Sequence, residues 1–479
     1  MGMLKPFCHI FVVFIVLGVA DYSYARMIFD APPEEEKASQ YHQFVKVKSI
    51  LISGNKITKP RVILNELSFK KDQNVLVNRL EETMARSRQN LLNTSLFNFV
   101  SITCNLLPDN EIIFHVRVEE RWYWWAFPIV EHADRNFSSF LNNGDWSKVN
   151  YGIYMKMDNF RGRREVLKFQ LRVGYLTQLK LYYNSPEYKK KTGWGGGIDF
   201  IAFDQVPYVT LDNQPVYLRF SDGMAQYVFN AVLFGHYRPE LYKRHHVTFS
   251  YNQYQVNDSV IAMNPDYLLK GETALKYFEI KYMFSHDTRD SKVYPLNGFY
   301  GALTLTKTGF GILNDDLDGY AAEAQFLKYV PVGERWHFGS DNRGKVSNRS
   351  YSPYVVKSGI GYGSFLNAYE YYVIDGPMYA FSQNKILFTL MEPRVKKLNF
   401  IPLSQFSKIH YAFYLSGFFD LGYVWNEKHH PSNFMVNDLL YGFGLGLDFV
   451  TFYDKVVSFN YSMNKFGEHG FFAHINLTF

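Results

Sequence analysis

The last 41 residues of the chain, 439–479, alternate between two kinds of side chain so regularly that a curved, two-faced β-sheet is the structure they fit. In the final stretch Phe471, Ala473, Ile475, Leu477 and Phe479 point one way, while Phe472, His474, Asn476 and Thr478 point the other. Before it, Val457, Phe459, Tyr461 and Met463 alternate with Ser458, Asn460, Ser462 and Asn464. Earlier still, Tyr441, Phe443, Leu445 and Leu447 alternate with Gly442, Gly444, Gly446 and Asp448. A closed barrel in a membrane satisfies both sets, the apolar one against lipid and the small or polar one against water. A soluble β-sandwich alternates as well. The aromatic richness of the outward set, and the persistence of the pattern through most of the chain, favour the barrel.

Composition agrees. Of 479 residues, 37 are Tyr, 43 Phe and 7 Trp, yet the mean hydropathy is only -0.21. Membrane barrels need aromatic girdles at both interfaces, and alternation hides them from averaged hydropathy. After the N-terminus no run reaches the ~20 apolar residues of a spanning helix. The formal charge of +6 is small for this length and does not point to nucleic acid. Cys8 lies in the N-terminal segment and Cys104 stands alone, so neither an internal disulfide nor a cysteine metal cluster is expected. The histidines show no metal-ligand spacing, and no cofactor is expected.

Lys5, an apolar stretch over 7–20 broken only by His9, and the small-x-small site Ser23-Tyr24-Ala25 predict an export signal over 1–25. The competing reading, a membrane anchor, is short for a span. Residues 26–43 are acidic and Pro-containing, which predicts a flexible leader. From Phe44 the pattern changes to β-α-α-β-β. Val45, Val47, Ile50 and Ile52 form a strand closed by the Gly54-Asn55 turn. Thr58 is expected to cap a helix with Pro60 in its first turn, and a second helix carries Val77, Leu80, Met84 and Leu91. Two alternating strands follow, through Val100, Ile102, Cys104 and Leu106 and then Ile112, Phe114, Val116 and Val118. This predicts a small two-layer α+β domain over 44–120.

That segment resembles a POTRA domain, on Ile50-Leu51-Ile52-Ser53-Gly54-Asn55-Lys56-Ile57-Thr58, Leu92-Asn93-Thr94-Ser95-Leu96-Phe97 and Val118-Glu119-Glu120-Arg121. The resemblance implies a periplasmic module that binds extended chains by adding them to a sheet edge, for which the physical basis is the unpaired N–H and C=O groups such an edge offers. A plain α+β spacer is the competing reading.

The barrel is expected over 121–479, opening on Arg121-Trp122-Tyr123-Trp124-Trp125, an interfacial aromatic cluster. Pro128 cannot donate to a ladder, so its strand should behave as an edge. Further strands are expected over 150–157, 164–174, 176–184, 193–203, 226–234, 246–255, 276–285, 299–307, 319–329, 353–363, 384–394, 409–425, 439–450, 456–463 and 470–479. With the first this makes about sixteen, an even number as in bacterial single-chain barrels. Connections after odd-numbered strands, such as 131–149, 204–225 and 364–383, are often long and would face outside. The segment 331–352 breaks that rule, as an inserted turn or a misplaced strand. Gly195, Gly196 and Gly197 read as a barrel bend, since no helix with Lys-Ser/Thr follows them as a phosphate loop requires. Lys168, Gln170 and Arg172 should face the lumen.

Two motifs extend the resemblance to the BamA/TamA-type outer-membrane protein family, the bacterial surface antigen group. His286-Asp287-Thr288-Arg289-Asp290 through Pro295-Leu296-Asn297-Gly298 is similar to its D-x-R-D…P-x-x-G signature between strands eight and nine. There Asp287, Arg289 and Asp290 are expected to pin a long turn by charge-assisted bonds, with Gly298 supplying permissive backbone. A catalytic His/Asp reading of the same residues lacks a second pair or an activated nucleophile. Phe418-Phe419-Asp420-Leu421-Gly422-Tyr423 resembles the strand-thirteen motif, with Asp420 facing the lumen. In that family an arginine of a V-R-G-[FY] loop tip pairs with this acid. Here the matching segment is Leu366-Asn367-Ala368-Tyr369, in which Tyr369 survives but Asn367 replaces the arginine and Ala368 the glycine. Asp420 must then take a neutral donor such as Asn367, or a proton.

The resemblance implies insertion or translocation of other outer-membrane or surface proteins without an enzymatic step. Client strands would bind at the POTRA edge and at the seam of first and last strands, on Trp122, Tyr123, Trp124, Trp125, Pro128, Phe471 and Phe479. Implied partners are outer-membrane lipids, unfolded outer-membrane or surface protein clients, and accessory periplasmic proteins or lipoproteins. The implied location is the outer membrane, with the POTRA domain in the periplasm. The competing readings are a dedicated export channel or solute pore, and a lipid-modifying enzyme needing a Ser/His pair on the lipid face.

Overall fold

The computed structural model describes residues 44–132, 149–189, 191–220, 223–313, 316–348, 353–356, 358–363 and 365–476. The expected signal, leader and terminal Phe479 lie outside them. The first unit consists of β1 (Phe44–Ser53), helix Pro60–Leu64, β2 (Asn74–Leu76), helix Leu80–Leu92, β3 (Phe97–Leu107) and β4 (Glu111–Glu120). Its sheet runs β2-β1-β4-β3, with β1 parallel to β4 and the other pairs antiparallel. The alternating positions Val45, Val47, Ile112, Phe114, Val116 and Val118 face Ile63, Leu80 and Leu91 of the helices in one core. The three-residue β2 carries too short a pattern to be read from sequence. At the β1 end, Gly54 has φ +87° and a Cβ there would sit 2.0 Å from the Val118 carbonyl oxygen, so this turn needs glycine.

The expected Thr58 cap is not made. Lys59 is the N-cap, without a side-chain bond, and the Glu120 carboxylate instead accepts from the Ile57 and Thr58 amides. Thr58 turns toward the barrel, where its hydroxyl meets Tyr123 and accepts from Asn159 Nδ2 at 2.8 Å.

The second unit is a sixteen-stranded antiparallel barrel. Its strands begin with β5 (Trp124–His132), β6 (Val149–Phe160), β7 (Glu165–Gly174), β8 (Leu176–Lys189) and β9 (Thr192–Phe203). The hairpin of β10 (Gln205–Leu211) and β11 (Gln214–Arg219) stands apart. The wall continues through β12 (Gln226–Tyr237), β13 (Lys243–Val256), β14 (Ala274–Asp287), β15 (Gly298–Thr308), β16 (Gly319–Pro331) and β17 (Trp336–Ser347). After a second small hairpin, β18 (Gly359–Ile360) with β19 (Ile374–Asp375), come β20 (Met378–Lys397), β21 (Lys408–Trp425), β22 (Leu439–Thr451), β23 (Lys455–Asn464) and β24 (His469–Asn476). Each wall strand pairs with its sequence neighbours in the wall, so the order is simple up-and-down.

Period-two alternation sorts the faces. Ile153, Leu171, Leu181, Phe200, Leu233, Leu305, Ile386, Leu445, Phe459 and Ile475 all lie exposed on the outside, a belt no water-soluble surface of this extent carries. Gln170, Gln178, Ser250, Ser285, Asp420 and Asp448 are buried on the inside. The sandwich alternative fails on this belt. No helix among the described residues is long and apolar enough to cross a membrane, which is silent about strands.

One expected strand is misplaced. The wall strand is β17, within the irregular 331–352 segment, and 353–363 belongs to the long connection 348–377. In that connection Tyr354 and Ile360 are buried among other loop residues and residues of the wall strands, which accounts for its apolar look.

Both ends of the barrel are covered. At the loop end, the β10–β11 hairpin leans on the long connection, where Val373 N donates to Asn213 O, and on the β21–β22 connection, where Asn213 N donates to Asn433 Oδ1, both at 2.8 Å. At the turn end the first domain docks across the mouth. It touches the β6–β7 turn (Lys59 N to Gly162 O, 2.9 Å), the β20–β21 connection (Asn98 Nδ2 to Gln405 O, 2.9 Å) and the β22–β23 turn (Ser95 Oγ to Asp454 Oδ2, 2.9 Å).

Candidate functional site

The sheet begins at β5 and ends at β24, and among the described residues no ladder joins the two. β5 pairs only with β6, and Pro128 faces Ile153 within that pair, so a residue that cannot donate sits where an edge tolerates it. Near the turn end β5 and the residues before it instead meet the β22–β23 turn and the β20–β21 connection by side chains. Trp125 packs edge-on to Tyr453 with ring centroids 5.2 Å apart, Tyr453 stacks on Phe406, and the Trp122 amide donates to the Tyr453 hydroxyl. Beneath them Arg121, 7% exposed, forks onto both oxygens of Asp454 at 2.7 and 3.0 Å. Burial pulls the Asp454 carboxyl upward, but the Arg121 bonds outweigh it and hold it below its usual value.

The structure sorts the seven sequence-derived seam residues. Trp124 and Phe471 are exposed on the outer surface at 55% and 78%, and Trp122 is partly exposed. Trp125 turns inward against Tyr453. Tyr123 is withdrawn from the edge: it is 5% exposed, belongs to the first domain's core, and donates to Leu96 O at 2.9 Å. Its phenol fills the joint between the domains. Phe479 lies outside the described residues.

Inside the barrel, the long connection folds back against the β21–β23 wall. Asn367 donates to Asp420 Oδ2 from its amide at 3.0 Å and from Nδ2 at 2.8 Å, and Gln383 Nε2 adds a third bond at 3.0 Å. Asp420 is 0% exposed, and among the described residues its Oδ1 has no hydrogen-bond partner. The neutral donor expected from the sequence, Asn367, thus stands at Asp420 in the place of the family's arginine. Ala368 adopts φ +71°, the region glycine would fill without strain. Tyr369 donates to Tyr441 O at 2.9 Å. Gly422 leaves room for this tip, since a Cβ there would lie 2.3 Å from Leu366 Cδ1. The next residues reach the seam from within: Tyr371 meets the Phe472 ring at 5.3 Å, and Glu370 lies 3.3 Å from His474, both partners on β24.

The β14–β15 connection is pinned in two separate ways. Arg289 forks onto Asp287 at 2.9 Å through Nε and Nη2, with its guanidinium over the Tyr300 ring. Asp290 does not join that pair; its Oδ1 accepts from the Ser291 and Leu296 amides, closing the turn on itself. Gly298 has φ +102°, with Thr288 O 2.4 Å from where a Cβ would be. The loop then enters the lumen, where Tyr294 stacks on Tyr414 and donates to Asp448 at 2.7 Å.

Sequence reasoning missed the interdomain clamp. Glu66, in the first domain and 4% exposed, accepts from Arg164 Nη1 at 2.9 Å and from Arg238 Nη1 and Nη2 at 2.6 and 2.8 Å. Arg164 and Arg238 stand in two different barrel turns, and nothing in their local pattern marks them as partners of one acid.

A family model described as the Omp85 superfamily domain matches residues 159–451, and one described as a surface antigen variable number repeat, a POTRA model, matches 45–121. Among solved structures, BamA from Haemophilus ducreyi lacking POTRA domains 1-3 matches with a TM-score of 0.51 and 13% identity, over 90% of this chain and 84% of that one. CdiB from Escherichia coli matches with a TM-score of 0.55 and 11% identity, over 90% and 76%. At such identities the likeness is one of fold. No curated protein matches the chain. With its barrel matched over more than half its length and its N-terminal domain matched as a POTRA unit, the chain belongs to the Omp85 superfamily.

Proposed function

We propose that this protein inserts or translocates protein clients at the outer membrane, with its POTRA domain in the periplasm, and that client strands add to the β5–β24 seam. The observation that carries this reading is a sheet whose first and last strands share no ladder among the described residues. In lipid each unsatisfied backbone group costs several kcal/mol, so a client strand that pairs with such an edge moves downhill without a chemical energy source. Trp122, Trp124, Pro128 and Phe471 would frame that edge, and the POTRA sheet edge would receive the client first. Family membership and fold likeness to BamA and CdiB support a protein client over a lipid substrate.

A photo-crosslinking amino acid at Trp124 or Phe471, compared with one at Leu305 on β15, tests it. Unfolded barrel proteins should crosslink from the first two positions and not from the third. Equal crosslinking at all three, or none at any, refutes the seam.

A dedicated export channel is the second reading, favoured by the cavities of about 860 and 1030 Å³ that remain at the loop end and the turn end. Stable conductance in planar bilayers with no crosslinked barrel protein would select it.

A further inference from the structure

At the turn end two wall strands outrun their neighbours. β20 pairs with β17 as far as Phe388, opposite Trp336, and β21 with β22 as far as Ala412, opposite Val450, yet β20 and β21 continue against each other to Lys397 and Lys408. On the outward face of β21, Phe419 and Leu415 are exposed, Phe413 stacks on Phe449 of β22, and Tyr423 and Tyr411 bound this apolar stretch. The span from residue 411 to residue 423, at ~3.3 Å per residue on a strand tilted by ~40°, rises ~30 Å along the barrel axis, which is the thickness of a hydrocarbon core. Tyr411 therefore marks its lower edge. Two bulges in β20 bring Met391 opposite Phe413, Arg394 opposite Tyr411 and Lys396 opposite Ile409, so both cations continue the outward face at and just past that edge. Both are exposed, and neither makes an ion pair among the described residues. Arg335, in the β16–β17 turn, lies with its guanidinium over the Phe388 ring at 4.7 Å, held there by the Thr389 and Leu390 carbonyls at 2.6 and 2.8 Å. The carboxylates of these two segments are Glu334, exposed in the turn, and Glu392, whose charge acts on Tyr414 in the lumen.

We propose that Arg394 and Lys396, with Arg335 on the adjoining turn, bind the phosphate of an anionic phospholipid in the leaflet on the POTRA side. Down this face the order is apolar, aromatic, cationic, which matches the order a leaflet presents as hydrocarbon, interface and phosphate. The patch is continuous with the exposed apolar belt, so it adjoins a surface that already faces lipid. A guanidinium fork fits two phosphate oxygens, a lysine adds a point charge, and the stems of both lie along the apolar surface above them. Net negative headgroups suit unpaired cations better than zwitterionic ones, whose own ammonium competes for the phosphate. The opposite face of the same hairpin holds the POTRA domain, through Lys408 on Glu119 at 2.8 Å and His410 edge-on to Phe99. A lipid held on the outside would thus fix the small domain relative to the membrane plane. The inference takes from the proposed function only a barrel in a bilayer with the POTRA domain on one side, and not the handling of clients.

The test places a photo-crosslinking amino acid at Ile409, across the ladder from Lys396, in the full chain in nanodiscs of phosphatidylcholine with a minor share of phosphatidylglycerol. Mass spectrometry of the adducts gives the ratio of the two lipids. Phosphatidylglycerol should be enriched at least threefold over its share of the disc at Ile409, and not at Tyr423 on the other rim. The double variant Arg394→Gln/Lys396→Gln should bring the ratio at Ile409 down to the bulk share, while Arg394→Lys/Lys396→Arg should keep the enrichment. Both pairs replace exposed side chains, and heat-dependent gel mobility checks that each variant folds. A bulk ratio in the wild type, equal enrichment at Tyr423, undiminished enrichment in the folded double variant, or a protein adduct at Ile409 in place of lipid overturns the proposal. Client crosslinking at Trp124, scored on the same variants, reports the seam reading separately, so a failure of one is told apart from a failure of the other.

Discussion

Replacing Glu66 by glutamine should loosen the POTRA domain from the barrel, and the size of the effect follows from the clamp. Burial alone would raise the Glu66 pKa, but the Arg238 hydrogen bonds and the Arg164 charge prevail and hold it at about 2, against an ordinary 4.5. At 1.36 kcal/mol per unit, that depression corresponds to ~3 kcal/mol in favour of the charged, docked form. Breaking a buried ion pair by removing one partner costs ~3–5 kcal/mol, which agrees. A neutral amide would leave the two barrel guanidiniums without the carboxylate charge they share. The folded-state pKa lies below the unfolded one, so the stabilisation is complete above pH 4.5 and disappears as the pH falls toward 2. The amide of Lys59 reports docking directly, because it donates across the domain boundary to Gly162 O at 2.9 Å. Hydrogen exchange at Lys59, corrected for intrinsic rate, should speed up by roughly 10² in Glu66→Gln at pH 7. Acceleration of less than threefold, with the POTRA core still protected, would refute the clamp.

Four further outcomes are expected. Arg121→Ala strips a buried fork from Asp454 and should cost ~3–5 kcal/mol, with Arg121→Lys recovering only part because the second bond is lost; unfolding midpoints in urea check both. Asn367→Ala removes a side-chain bond to a fully buried carboxylate, should cost ~1–3 kcal/mol, and should render the 366–376 segment protease-sensitive in otherwise folded barrels. Gly298→Val forces a β-branched residue to φ +102° against the Thr288 carbonyl and should cost at least ~1–3 kcal/mol, read as a lower temperature of heat-induced gel shift. Tyr123→Phe keeps the packing but deletes the bond to Leu96 O, costing ~0.5–1.5 kcal/mol of POTRA stability without changing client crosslinking at Trp124.

Strand placement was legible wherever one face is apolar and the other is not, which holds for nearly the whole wall. β17 escaped because its outward positions include Ser340 and Asn342. They are tolerated there because Asn342 donates to Ser340, Ser340 bonds to Asn384, and Asn384 donates to Ser382 of the neighbouring β20, so the polar groups satisfy one another instead of facing lipid bare. Its replacement, 353–363, misled for the opposite reason, since Tyr354 and Ile360 are apolar to pack a cap. Gly54, Gly298, Asp287 and Arg289 could be placed in advance because turns state their requirements within a few residues. The exchange of a cation for Asn367 opposite Asp420 was also visible as a motif departure. The clamp on Glu66 and the Arg121–Asp454 fork were not visible, because each joins residues separated by tens to hundreds of positions that only the closed barrel brings together.

The Arg121–Asp454 pair has a temporal meaning as well as a spatial one. The two residues are 333 apart in sequence, and Ser95 is 359 from the same aspartate. A chain that enters the periplasm N-terminus first completes its small domain long before the β22–β23 hairpin exists, so contacts of such separation form last. Until that hairpin is in place the small domain has only part of its seat, and its seating is thereby a built-in sign that the wall behind it has formed as far as β23.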